Sequence, residues 1–147
     1  MTYGPHYHSW DYTLQGDDIS DWFNYHPRLA QELKESGLDI VSTANNHAFD
    51  TCAAGVDDTI TSLDTGGIKH FGTVRQGDKN AQWWEVTETR VQSHDGVKQT
   101  YTIAWVACTA SINGDQKAEQ THVYRKQVML CDSSEFYSTI SYLDSQR

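Results

Sequence analysis

A repeated order of helix, strand, loop, helix and strand constrains the fold of this chain more than any other feature. Pro27 suits the first position of a helix and Gly37 suits its end, and the apolar stretch 38–42 that follows predicts a short buried strand. A second helix is expected at residues 55–63 and a second strand at residues 68–71. Because strands joined through a helix form right-handed crossovers, the pattern predicts an α/β fold with parallel strands.

The second half of the chain has a different pattern, in which strand formers dominate. Residues 83–91 and 99–106 flank Asp95-Gly96, a dipeptide typical of tight turns, and therefore predict an antiparallel hairpin. The polar stretch 109–120 is expected to be an exposed loop. Residues 122–130 fit either a strand or a helix.

A terminal helix is predicted over residues 133–143. Ser133 or Ser134 would cap it, and Phe136, Ile140 and Leu143 would form its buried face.

Charge and hydropathy exclude several classes of partner. Twenty acidic residues against eleven basic ones give a net charge of −9, which repels nucleic acid and anionic lipid unless a metal reverses the local sign. No apolar run approaches the roughly 20 residues of a membrane span, and no signal-peptide pattern is visible, so the compartment stays open.

The three cysteines Cys52, Cys108 and Cys131 are widely spaced and odd in number. They form neither a disulfide framework nor a zinc clip by spacing, and we expect buried thiols.

Residues 42–50, Ser-Thr-Ala-Asn-Asn-His-Ala-Phe-Asp, concentrate the groups best suited to chemistry. The segment follows the first predicted strand, at the strand end where open α/β sheets bind ligands. Its carboxamides, imidazole and carboxylate could hold a metal and transfer a proton. The same residues also make a good turn, because Asn tolerates left-handed φ, so both interpretations stay open.

The stretch 24–72 resembles the poly-γ-glutamate capsule synthesis (CapA-like) proteins, which are similar to the calcineurin-like metallophosphoesterases. The resemblance depends on the order and spacing of several short segments. They are Phe23-Asn24, Pro27, residues 33–41, residues 42–50, Gly55-Val56, Thr59, Leu63, Gly67-Ile68 and Gly72. It implies a metallophosphoesterase-like sandwich of mixed β-sheet flanked by helices.

The resemblance also implies roles for individual residues of the loop. Asn46 matches the Asn that ligates metal in the phosphoesterase Gly-Asn-His motif, and His47 matches the adjacent catalytic His. Asn45 stands where phosphoesterases have Gly, and Asp50 matches a position that helps to hold the loop. The family's usual Gly two residues after that Asp is here Cys52.

The implied cofactor is a divalent metal, Mn, Fe, Mg or Zn, and the implied partner is a polyanionic polymer or a phosphoester substrate. Any activity would be that of a metal-dependent phosphoesterase-like hydrolase. No nucleic acid and no membrane span are expected for this chain. Members of the family are often associated with the cell surface.

Other motifs of the family are not visible in this sequence. They are an opening strand that ends in a metal-ligating Asp, a later strand motif of the Asn-x-Glu type, a His-Trp-Gly-x-Glu segment and a Gly-x-His-x-His segment. We therefore expect residues 1–147 to be one CapA-like domain in truncated form. A non-catalytic binding or scaffold domain that keeps the fold but lacks most metal ligands is the alternative. If the missing strands are not supplied, exposed sheet edges would favour homo-oligomers, which light scattering would detect.

Overall fold

The structure is a computed structural model that describes residue 23, residues 25–113 and residues 126–146. Its elements are, in order, α1 (Arg28–Glu35), β1 (Ile40–Ser42), α2 (Cys52–Gly66), β2 (Lys69–Phe71), β3 (Trp84–Gln92), β4 (Lys98–Val106) and α3 (Ser134–Asp144). The predicted α/β class is confirmed. The strands of the described ranges form two separate two-stranded sheets, and the metallophosphoesterase-like sandwich stays a prediction.

The predicted crossover is present between the first two strands. β1 and β2 pair in parallel with Val41 opposite His70, and α2 connects them. Both preceding helices end in the same way: Gly37 after α1 and Gly67 after α2 have φ of +96° and +69°. The residue after each glycine donates its N–H to the carbonyl five residues back, at 3.1 and 3.0 Å. These left-handed caps turn the chain directly from helix into strand.

β3 and β4 form the predicted antiparallel hairpin, with Trp84 opposite Val106 at its base. Asp95-Gly96 lies in the connecting turn, where Gly96 has φ of +85°. The outer half of the hairpin is exposed on both faces. Self-association through its edges stays a prediction.

A buried segment, residues 127–130, links the crossover to the chain that follows β4. Met129 donates its N–H to the Gly72 carbonyl after β2, and its own carbonyl accepts from Thr109, at 2.9 and 3.0 Å. Val128 and Met129 are 1% exposed. Residues 114–120 of the predicted loop lie outside the described residues. The part from 109 to 113 is not simply exposed, because Thr109 and Ile112 are tied to this buried segment and to the core.

A disulfide joins Cys108 to Cys131, with their Cα atoms 5.0 Å apart. The expectation of thiols is therefore wrong for these two residues. Sequence spacing gave no sign of the pair, because the parallel bridge between Thr109 and Leu130 is what brings the two segments together.

α3 begins at the predicted cap, since the Ser133 hydroxyl accepts the Phe136 N–H at 3.1 Å. The predicted buried face is wrong for Ile140, which is 44% exposed, whereas Phe136 and Leu143 are half-buried. The buried residue of the helix is Thr139. No helix in the described ranges is long and apolar enough to cross a membrane.

Two apolar clusters fill the interior of the described ranges. The smaller lies between α1, α2 and the start of β2, and the larger lies beneath the loop that connects β1 to α2. The smaller consists of Ala30, Leu63 and Ile68; the larger consists of Phe49, Val56, Ile60, Ile112, Val128 and Leu130. The larger cluster therefore supports the segment that the sequence marks for chemistry.

Candidate functional site

The loop of residues 43–51, here called the site loop, leaves the carboxyl end of β1 and leads into α2. Thr43 fixes its start: the backbone N–H and the hydroxyl both donate to the Phe71 carbonyl at 2.9 Å. The Thr43 hydroxyl also lies 2.7 Å from that of Thr73. The loop is therefore attached to the carboxyl end of both parallel strands, which is the edge predicted to carry a site.

Two residues shape the backbone of the site loop. Asn45 accepts the His47 N–H with its side-chain oxygen at 2.8 Å, which closes an Asx turn. Phe49 is 5% exposed and inserts into the larger apolar cluster. The polar residues are consequently held above the core by a buried aromatic anchor.

His47 and Asp50 form the central pair of the site. His47 Nδ1 lies 2.8 Å from Asp50 Oδ2, and their side chains are 27% and 2% exposed. The same carboxylate oxygen accepts the backbone N–H of Phe23 at 2.8 Å, and the Phe23 ring meets the imidazole edge to face at 4.4 Å. Because a carboxylate accepts hydrogen bonds, the pairing assigns the Nδ1 proton to His47 and leaves Nε2 as the nitrogen available for chemistry.

Asn46 lies beside this pair. Its side-chain amide nitrogen donates to the side-chain oxygen of Asn113 at 3.3 Å, and its backbone carbonyl accepts the backbone N–H of Asn113 at 2.6 Å. The Asn46 side-chain oxygen has no hydrogen-bond donor among the described residues. It is the atom that could bind a hard cation.

The described residues alone do not complete a metal site. They contain no group of three or more His, Cys, Asp or Glu side chains placed to hold a metal ion. Asn46 offers one donor atom, and Asp50 is already engaged by His47 and Phe23. Further ligands would have to come from outside the described residues.

Cys52 occupies a strained backbone position at the start of α2. Its φ of +64° is in the left-handed region, which costs a residue with a Cβ about 1–2 kcal/mol. Glycine, the residue that the family resemblance predicts at this position, adopts such a φ without that steric cost. The strain at Cys52 therefore bears on the stability of the start of α2.

The structure brings together all four predicted site residues and adds one that sequence reasoning missed. Asn113 lies in the stretch predicted to be an exposed loop, where Asn113-Gly114 suggests only a turn. The signal that could have found it is Ile112, a single large apolar residue in a polar stretch, which is buried in the core.

Comparison with known proteins bears on most of the chain. The family model described as bacterial capsule synthesis protein PGA_cap matches residues 9–140. No curated protein and no solved structure matches the chain. The family match covers the crossover, the site loop, the hairpin and most of α3.

Proposed function

The chain belongs to the bacterial capsule synthesis protein family PGA_cap, and on this premise we propose that it acts on a capsule polymer through a phosphoesterase-type site. The polymer is a polyanion such as poly-γ-glutamate, and the reacting group is a phosphoester or a related acyl centre. His47 is the proposed catalytic residue, Asn46 the metal ligand, and Asn45 and Asp50 support the loop.

The pairing of His47 with a buried carboxylate carries this proposal. A turn does not require its histidine to pair with a buried carboxylate, yet His47 contacts Asp50, whose side chain is 2% exposed. Burial of Asp50 costs solvation, and its hydrogen bonds from His47 and Phe23 offset that cost. The result is an imidazole held in one orientation, which is what proton transfer to a leaving oxygen requires.

Each residue has a defined task in this proposal. Asp50 holds the His47 ring through its Nδ1–H, and in the doubly protonated ring Nε2 gives its proton to the departing oxygen or stabilises the charge of that oxygen. Asn46 would provide one oxygen ligand to a divalent metal (Mn, Fe, Mg or Zn), which when bound would neutralise charge on the phosphoryl oxygens. The described residues supply only part of the ligand set that such a metal would need.

The charge of the chain is compatible with such a site. A protein of net charge −9 repels a polyanionic substrate over most of its surface. A bound cation would reverse the sign locally, so the proposal places substrate attraction at the metal.

Hydrolysis of bis(p-nitrophenyl) phosphate with added Mn²⁺ tests the proposal, together with measurement of bound metal. We expect His47→Ala to lower the rate by about 10²–10⁴-fold, the usual contribution of a general acid. His94→Ala is the matched control, because His94 lies in the exposed hairpin turn, far along the chain from the site loop.

Folded protein that is inactive with every metal tried would overturn the enzyme proposal and favour the binding or scaffold alternative. Equal rates for the wild-type protein and His47→Ala would also overturn it, since activity would then originate elsewhere.

A further inference from the structure

Asn113 contacts the site loop although it is 66 residues from His47 in the sequence. It makes a two-way connection to Asn46: its backbone N–H donates to the Asn46 carbonyl at 2.6 Å, and its side-chain oxygen accepts the Asn46 amide at 3.3 Å. Its amide nitrogen lies 3.2 Å from Nδ1 and 3.1 Å from Nε2 of His47. One side chain thus contacts both residues proposed for chemistry.

The segment before Asn113 is firmly attached to the rest of the protein. Ile112 is 6% exposed and packs in the larger apolar cluster. Thr109 exchanges backbone hydrogen bonds with the buried segment on either side of Leu130, and the Cys108–Cys131 disulfide adjoins this bridge. The position of Asn113 is therefore fixed by the core and by the bridge at Thr109, in addition to its own hydrogen bonds to the site loop.

The near-equal distances to the two ring nitrogens define the contact with His47. An in-line hydrogen bond to Nε2 would place the amide nitrogen clearly closer to Nε2 than to Nδ1. The Asn113 amide instead lies across the part of the ring between the two nitrogens. It restricts rotation of the imidazole while leaving the in-plane lone pair of Nε2 without a full hydrogen bond.

We infer that Asn113 is a positioning residue. Its side chain holds the His47 ring in addition to Asp50, and it orients the Asn46 side-chain amide. With the Asn113 oxygen accepting from Asn46, the Asn46 nitrogen faces Asn113 and the Asn46 oxygen faces away as the free ligand atom. The catalytic meaning of this role rests on the proposed function, whereas the positioning itself does not.

Nitrogen-15 NMR of the His47 side chain tests the positioning directly, without any assay of activity. Asn113→Asp keeps the shape of the side chain and its acceptor oxygen, but it replaces the amide that touches the ring with a negative charge. Because the Asn113 amide nitrogen lies 3.2 Å from Nδ1 and 3.1 Å from Nε2, we expect both His47 ring-nitrogen shifts to change when that amide is lost. Asn80→Asp, in an exposed loop, adds the same charge elsewhere and should leave them unchanged.

Asn113→Ala is the second variant, because Ala keeps the backbone hydrogen bond to Asn46 and removes only the side-chain contacts. We expect altered His47 ring-nitrogen shifts and, if the protein hydrolyses phosphodiesters, a kcat lowered about 10–100-fold with little change in KM. Asn80→Ala is its control.

The outcomes separate this inference from the proposed function. His47 signals that respond to Asn113 substitution in an inactive protein would sustain the positioning role and remove the proposed function. His47 signals that respond no more to Asn113→Asp and Asn113→Ala than to the Asn80 controls would overturn the positioning role, whatever the activity.

Discussion

Substitution of Gly72 by alanine should destabilise the protein more than any ordinary turn glycine would. Gly72 follows β2 with φ of +98°, and a Cβ added there would lie 2.7 Å from the Ala44 Cβ and 3.0 Å from the Ala44 nitrogen. The backbone has little freedom to relieve the clash, because Gly72 donates to the Trp83 carbonyl and accepts from Met129, at 3.1 and 2.9 Å.

The expected magnitude has two parts. A left-handed backbone costs alanine about 1–2 kcal/mol, and forced overpacking costs about 1–3 kcal/mol, so Gly72→Ala should lower the free energy of unfolding by about 2–5 kcal/mol. At roughly 2–4 °C per kcal/mol for a chain of this length, the Tm should fall by about 4–20 °C.

Gly77→Ala isolates the backbone part, because Gly77 has φ of +77° and nothing within 4 Å of the added Cβ. We expect it to cost about 1–2 kcal/mol in guanidinium and thermal unfolding. The difference between the two variants measures the contact with Ala44, the residue that precedes Asn45 in the site loop. Equal losses for Gly72→Ala and Gly77→Ala would refute the close approach of the two segments.

Two further predictions concern the disulfide and the hairpin turn. Replacing both Cys108 and Cys131 by serine should lower the free energy of unfolding by about 3 kcal/mol, because the bridge closes a loop across a sequence separation of 23. Thiol titration of the unfolded wild-type protein should find one thiol, and a count of three would contradict the bridge. The Ser93 hydroxyl, with the Val97 N–H second, holds the pKa of the exposed Asp95 below its usual value. The stability that this carboxylate gives the turn is present above the ordinary aspartate pKa of about 3.9 and is lost as the pH falls through the lower folded value. An NMR titration should show the Asp95 pKa rising toward normal in Ser93→Ala, and an unchanged pKa would contradict the assignment.

Local patterns in the sequence were sufficient for most of the elements and for the loop that follows β1. Gly37 and Gly67 end their helices, Ser133 caps the last one, and Asp95-Gly96 turns the hairpin, because each depends on neighbours within a few residues. The site loop could be located for the same reason, since it directly follows a strand with a clear β-branched pattern.

Contacts between distant segments could not be predicted in this way. The sequence by itself determined that Asn45, Asn46, His47 and Asp50 share one loop, and the family resemblance suggested their roles. Only the tertiary structure decided that Asn113 contacts Asn46 and His47 and that Cys108 pairs with Cys131. The physical reason is that residues 109–113 are placed by pairing with the buried segment 127–130 and by burial of Ile112, and neither leaves a periodic signal in the chain.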